Sequence, residues 1–289
     1  MDLRQLRYFV AVAEERHVGR AAARLHMTQP PLSRAIRQLE DELGVVLFER
    51  TPRGVDLAPA GAVLYAEAGT LLGAADRIRG RVRDAAGTAT LTVGTLADTA
   101  EQVGAHLVPQ FRARFPHVRV TVHETDLGDP TAGLRNGAVD VALTRTPFDA
   151  TGLSARALHA VPVGVVLRTD DPLAGRATVS TAELRGRPWV RLPEGTDPVW
   201  AAFWTGEGDP GPVVRTIQEC LQAALWNGTA AVAPAGQPVP HGLTVVPLDD
   251  RPRSTVVVAW AKGTRSPLVR AFAQIAGDTL GHGPGPQQA

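Results

Sequence analysis

The chain has 289 residues, 44% of them hydrophobic and 20% charged, with a formal net charge of +1. That is enough apolar material for two or three cored domains, and it excludes a disordered chain. No apolar run reaches the roughly 18 residues of a membrane helix, and MDLRQLRYF lacks a signal peptide's order of regions, so a cytoplasmic location with no membrane partner is expected.

Three short helical patterns open the chain. Leu3, Leu6, Phe9, Val10 and Ala13 give the first, and Val18, Ala21, Ala22 and Leu25 the second. The third is TQPPLSRAIRQLEDELG, residues 28–44, in which Thr28 is placed as N-cap and Pro30 and Pro31 occupy a first turn whose N–H groups lack intrahelical acceptors. Leu32, Ala35, Ile36, Leu39 and Leu43 recur at helical spacing and predict a buried face, leaving Ser33, Arg34 and Arg37 opposite it with Gln29 and Pro30 at the tip. Short donors and arginines near a helix N-terminus suit phosphates and guanine edges. The short link from Leu25 to Thr28 predicts an angled helix-turn-helix. Between Arg16 and Leu39 lie Arg16, Arg20, Arg24, Arg34 and Arg37 and no acid, a local basic surface inside a nearly neutral chain. VVLFERTPRGVDL then supplies two short strands around a turn, a wing, with Arg50 and Arg53 able to reach the DNA backbone or a narrow minor groove.

From Ala58 to about Asp84 no turn cluster interrupts the chain, and Leu64, Ala68, Leu71, Ala75, Ile78 and Val82 form a heptad seam. So narrow a stripe implies a partner helix, most simply that of a second subunit, with packing on its own chain as the alternative.

After Gly87 strands alternate with helices, which predicts α/β architecture with parallel pairing. Strands are placed at Leu91–Thr95, Val118–Val122 and Val139–Thr144, a helix at Ala100–Phe115 and a short one at Thr131–Asn136. A second set follows: strands at Val161–Leu167, Trp189–Leu192, Val213–Thr216, Ala230–Ala233, Val245–Leu248 and Val256–Trp260, helices at Pro198–Trp204 and around Cys220, and a last helix at Pro267–Leu280. The tail from Gly281 is Gly/Pro-rich and expected to lack structure. Cys220, the single cysteine, falls with Ile217, Leu221, Ala224 and Leu225 and reads as a buried structural thiol. Trp200, Trp204 and Trp226 are expected to cluster, filling a core or stacking on a ligand. No HExxH, GxSxG elbow or P-loop is present, so neither enzymatic activity nor a cofactor or metal is expected.

Residues 1–66, and with less specificity FRARFPHVRVTVHE, LRNGAVDVALTR and DDPLAG, resemble the LysR-type transcriptional regulators. The resemblance implies a winged helix-turn-helix over 1–57, a dimerising linker helix over 58–86, and a two-lobed effector domain like periplasmic binding proteins over 87–289. Lobe I would take about 87–160 and 264–280, lobe II about 161–263, with a disordered tail at 281–289. It implies DNA contacts from Gln29, Pro30, Ser33, Arg34, Arg37, Arg50 and Arg53, and from Arg20 to a phosphate. It implies an effector cleft lined by Thr95, Asp98, Thr99, Thr125, Arg145, Pro193, Glu194 and Gly195, in which Asp98 would repel a carboxylate. Expected partners are double-stranded promoter DNA, a small-molecule effector, a second copy in a dimer or homotetramer, and RNA polymerase. From the residues alone, Thr95, Asp98 and Thr99 serve equally as caps of the next helix, and Arg145 equally as partner of a nearby carboxylate. A solute-binding protein with an N-terminal association module and an effector-independent DNA binder are the other readings.

Overall fold

The computed structural model describes residues 1–52, 54–85 and 89–281. The expectations for Arg53 and for the tail from 282 onward fall outside them. The chain forms two compact units, one over Met1–Val82 with Asn136–Ala138, the other over Arg83–Arg135 and Val139–Ala289.

The first unit begins with α1 (Leu3–Glu15), α2 (Val18–Arg24) and α3 (Gln29–Leu43), followed by the antiparallel hairpin β1 (Phe48–Thr51) and β2 (Gly54–Leu57) and the long helix α4 (Pro59–Ala85). Asp2 caps α1 in a reciprocal box with Gln5, and the His17 ring Nδ1 accepts from the N–H groups of Gly19 and Arg20 at the start of α2. Phe9, Val12, Ala21, Leu32, Ile36, Leu39 and Leu47 make one core, against which Leu57, Leu64 and Tyr65 pack. The apolar stripe of α3 is thus the face that ties it to α1 and α2. Of the heptad seam, Leu64 is used on this core and Ala68 is buried, whereas Leu71, Ile78 and Val82 are exposed.

The second unit contains, among its described residues, two larger sheets and a separate two-stranded pair. In the first, β3 (Thr90–Leu96) lies between β4 (Arg119–Thr125) and β5 (Val141–Thr146) in parallel, and the order continues antiparallel through β12 (Ser254–Ala261) to β6 (Leu153–Val161). Helix α5 (Ala97–Glu101), a π-helical turn (Gln102–Leu107) and α6 (Val108–Arg114) run on from β3, and with α9 (Pro267–Leu280) they bury Leu107, Phe111 and Phe272 against the sheet. In the second, β7 (Val163–Arg168) lies antiparallel between β10 (Ala231–Pro234) and β11 (Leu243–Pro247), while β8 (Pro188–Arg191) and β9 (Asp209–Val213) form the separate parallel pair, with Trp189 bridged to Ala230 just before β10. Helices α7 (Pro198–Trp204) and α8 (Ile217–Asn227) cover it.

Four expectations are corrected. Pairing is mixed rather than parallel. The strand at 256–260 belongs to the first lobe's sheet and not to lobe II, because β12 returns to bond β5 and β6. Thr131–Asn136 is a run of turns, since Ala132 and Gly133 take φ of 50° and 87° and the Asp129 carboxylate accepts from the N–H groups of Thr131 and Gly133. Trp226 does not join Trp200 and Trp204; it is 68% exposed at the end of α8.

Candidate nucleic-acid interface and effector cleft

The entry to α3 is set by backbone rather than by a side chain. Thr28 takes an extended N-cap conformation but its hydroxyl makes no cap hydrogen bond, so it is the prolines that start the helix. With Leu32, Ile36 and Leu39 buried, the opposite face leaves Gln29, Pro30, Arg34 and Arg37 exposed and Ser33 half-buried. Glu40 then fixes the wing, its Oε1 accepting from the N–H groups of Leu47 at 2.8 Å and Phe48 at 3.3 Å. On the wing's other side, the Val55 N–H donates to the Arg16 carbonyl at 3.0 Å. Gly54 sits at φ 145° so close to that carbonyl that a Cβ would lie 2.2 Å from the oxygen. The result is a groove of about 390 Å³ that brings Gln29, Ser33 and Arg37 together with Arg50, Thr51 and His17.

The charge pattern of this face differs from the linear reading. Acids from outside the segment take three of its five arginines: Arg16 meets Asp56 at 3.5 Å, Arg24 meets Glu14 at 2.5 Å and Glu15 at 3.4 Å, and Arg20 donates to the Glu15 carbonyl while lying 3.6 Å from its carboxylate. Arg34, Arg37 and Arg50 have no acidic partner among the described residues. The free positive charge is therefore concentrated on α3 and the wing.

In the second unit a half-open pocket, about 60 Å³ in its enclosed part, is lined by residues of both sheets and of the helices beside them. The first lobe contributes Leu96, Asp98, Leu127 and Arg145; the second contributes Leu192, Trp200, Trp204, Ile217, Cys220, Leu221 and the β10 strand. Asp98 and Arg145 form an ion pair from Arg145 Nε, each side chain only 7% exposed. Among the described residues the Arg145 Nη1 and the Trp204 Nε1 are buried without a hydrogen-bond partner, whereas Trp200 Nε1 donates to the Leu127 carbonyl at 2.9 Å and closes one wall. Burial, helped by the Glu219 carboxylate, pushes the Cys220 thiol up to about 12, so it is protonated and part of the neutral wall.

Of the eight cleft residues implied by the resemblance, Asp98 and Arg145 line the pocket and the others do not. Thr95 and Thr99 are fully buried and bond each other at 2.7 Å, with further bonds to the carbonyls of Leu96 and Leu143. Their hydroxyls knit α5 to β3 and β5, and neither caps α5, whose N-cap is Leu96. Thr125 reaches the Asp129 carbonyl at 3.4 Å. Pro193, Glu194 and Gly195 form a turn closed by Thr196 onto the Pro193 carbonyl, and it is their neighbours Leu192 and Trp200 that face the pocket. The aromatic wall was signalled by the i, i+4 spacing of Trp200 and Trp204, whose ring centroids lie 5.2 Å apart. The contributions of Ile217, Leu221 and β10 carried no sequence signal beyond apolarity.

A winged helix-turn-helix with an arginine-bearing outer face, joined in one chain to a two-lobed α/β unit with a half-open pocket, defines a DNA-binding regulator with a ligand-binding domain. Residues 3–62 match the bacterial regulatory helix-turn-helix protein, lysR family, and residues 85–281 match the LysR substrate binding domain, so the chain belongs to the LysR family of transcriptional regulators. Among curated relatives it is 29% identical to the HTH-type transcriptional regulator AlsR of Bacillus subtilis over 95% of each chain, and 30% identical to the Hca operon transcriptional activator HcaR of Escherichia coli over 97% of this chain and 98% of that one. Among solved structures it resembles a full-length OxyR variant from Pseudomonas aeruginosa at 26% identity (TM-score 0.50, 97% and 99% covered). The LysR family regulator CbnR shares its fold at 23% identity (TM-score 0.57, 97% and 99% covered). No helix among the described residues is long and apolar enough to cross a membrane.

Proposed function

We propose that the N-terminal unit reads double-stranded promoter DNA through Gln29, Pro30, Ser33, Arg34 and Arg37, with Arg50 and Arg53 of the wing on the flanking backbone, and that a small molecule in the pocket of Asp98 and Arg145 controls this reading. The observation that carries the proposal is the amphipathic partition of α3: three apolar side chains anchored in the core, and the guanidiniums of Arg34 and Arg37, without an acidic partner among the described residues, turned to solvent. The ligand acts by binding two arrangements of the protein with different affinity. Self-association through α4 supplies the dimer or homotetramer, and regulation proceeds through RNA polymerase in the cytoplasm. The functional divisions are 1–57 for DNA, 58–86 for association and 87–289 for the effector.

The test is fluorescence anisotropy of full-length protein on the intergenic duplex upstream of its own gene and on a scrambled duplex, at fixed salt. Arg34→Ala is expected to lower affinity for the first by about 1–3 kcal/mol and for the second by less. Equal binding of both duplexes by the unmodified protein, with no loss in the variant, overturns the reading.

A further inference from the structure

Resting on that reading of the pocket as the effector site, we propose that the effector is a small uncharged molecule, mostly hydrocarbon, carrying one hydrogen-bond-accepting oxygen such as a ketone, aldehyde or ester carbonyl. Three features of the pocket select this class.

The first is its wall. Leu127, Leu192, Trp200, Ile217 and Leu221 present hydrocarbon and aromatic surface, and Gln237 turns its amide toward the Pro238 carbonyl. The enclosed 60 Å³ has room for about four to six water-sized groups, which bounds the part of the ligand held inside to a short chain or small ring.

The second is charge. Asp98 and Arg145 are the only charged side chains of the described lining, and they neutralise each other. A carboxylate on the free Arg145 Nη1 would set two buried negative charges against one positive, and a cation beside Asp98 would set two positive charges against one negative. Either addition leaves an uncompensated buried charge, so the pair disfavours ligands of both signs.

The third is the hydrogen-bond inventory. Arg145 and Trp204 are 5% and 9% exposed, both line the pocket, and each keeps one nitrogen donor, Nη1 and Nε1, without an acceptor among the described residues. Both orphans are donors. An occupant's carbonyl oxygen supplies the missing acceptor without disturbing the ion pair, which an aliphatic hydrocarbon or an ammonium cannot do.

The experiment uses full-length protein carrying 5-fluorotryptophan, with Trp204→Phe assigning the Trp204 line and circular dichroism checking that the variant is folded. The probes are 2-butanone, propanoate and propylammonium, each titrated while the ¹⁹F lines of Trp200 and Trp204 are followed. The expected result is a saturable shift with 2-butanone at an affinity at least about tenfold above either ion. In Trp204→Phe, the Trp200 line should report 2-butanone binding weakened about fivefold, the value of one neutral hydrogen bond. Tighter binding of propanoate or propylammonium at the same lines overturns the ligand class and leaves the pocket as the effector site. Failure of every probe to move either line, in a protein that still binds its promoter, overturns both.

Discussion

Arg145, on β5, donates its Nε–H to the carboxylate of Asp98, in the first turn of α5, with each side chain only 7% exposed. A buried pair of this kind adds little net stability over apolar side chains of similar size, but removing one member strands the other. Asp98→Ala is therefore expected to cost about 3–5 kcal/mol, whereas Asp98→Ala combined with Arg145→Leu should recover most of that loss. Urea unfolding followed by tryptophan fluorescence reads both, and a double variant no more stable than the single one would show that the arginine's packing, not its charge, is at stake.

The wing rests on a contact that tolerates no side chain. With φ at 145° and the Arg16 carbonyl oxygen 2.2 Å from where a Cβ would sit, Gly54→Ala forces the hairpin off the α1–α2 turn. The expected cost is on the order of 1–3 kcal/mol, with the Val55 N–H losing protection from hydrogen exchange and DNA affinity falling although no contacting side chain has changed. Exchange that accelerates in the effector domain but not at Val55 would contradict this account.

Helices and buried strands were legible in the sequence where one periodicity ruled, as in α3 and α9, and the outward face of α3 followed from it directly. Partnership was not legible. β7 bonds β10 and β11, each more than sixty residues away, and β12 returns to the first lobe, because long-range pairing is decided by tertiary burial and not by local pattern. Strand β6 carries no clear sequence signal because its residues Ser154 and Arg156 break the apolar run, and its pairing in the sheet comes from β12. In the cleft, the family resemblance and not residue type pointed to Asp98 and Arg145, which line the pocket, and Thr95 and Thr99, named on the same ground, spend their hydroxyls on neighbouring carbonyls. Hydrogen-bond destinations of that kind exist only in three dimensions.

Charge pairing ranks the arginines of the DNA face. Arg20 is held by Glu15, while Arg37 and Arg50 line the groove without an acidic partner among the described residues. Arg50→Ala should lower the slope of log affinity against log salt by about one unit, the signature of one phosphate contact. Arg20→Ala should change it less, since Glu15 already neutralises part of that charge. Equal slopes for the two variants would place Arg20 on a phosphate after all.

Cys220 gives the fold a one-sided response to alkali. Burial raises its native pKa to about 12, from a reference value of 9.0 in the unfolded chain. A group raised in this way contributes stability that is complete below the unfolded value and is lost as pH climbs from about 9 toward 12. Cys220→Ala should flatten that part of the stability curve in urea titrations. At pH 8 the native thiol should also react with a disulfide reagent about a thousandfold more slowly than the unfolded chain, in proportion to its thiolate. Comparable rates in the two states would mean that the thiol is open to solvent.

Helix α4 leaves Leu71, Ile78 and Val82 exposed in heptad register beyond the turns that pack on the DNA-binding core. Three large apolar side chains aligned on one stripe favour association, and a partner helix covers them at little further cost because α4 is already formed. Burying Leu71 and Ile78 in each of two copies contributes about 1.5–3 kcal/mol per side chain, so a charge at either position should reverse the balance. Ile78→Glu, which lies clear of the folded core, is expected to keep the chain's melting temperature within a few degrees at matched oligomeric state while shifting sedimentation toward the monomer and weakening promoter binding. A variant that sediments as the unmodified protein does would assign the stripe to some other surface.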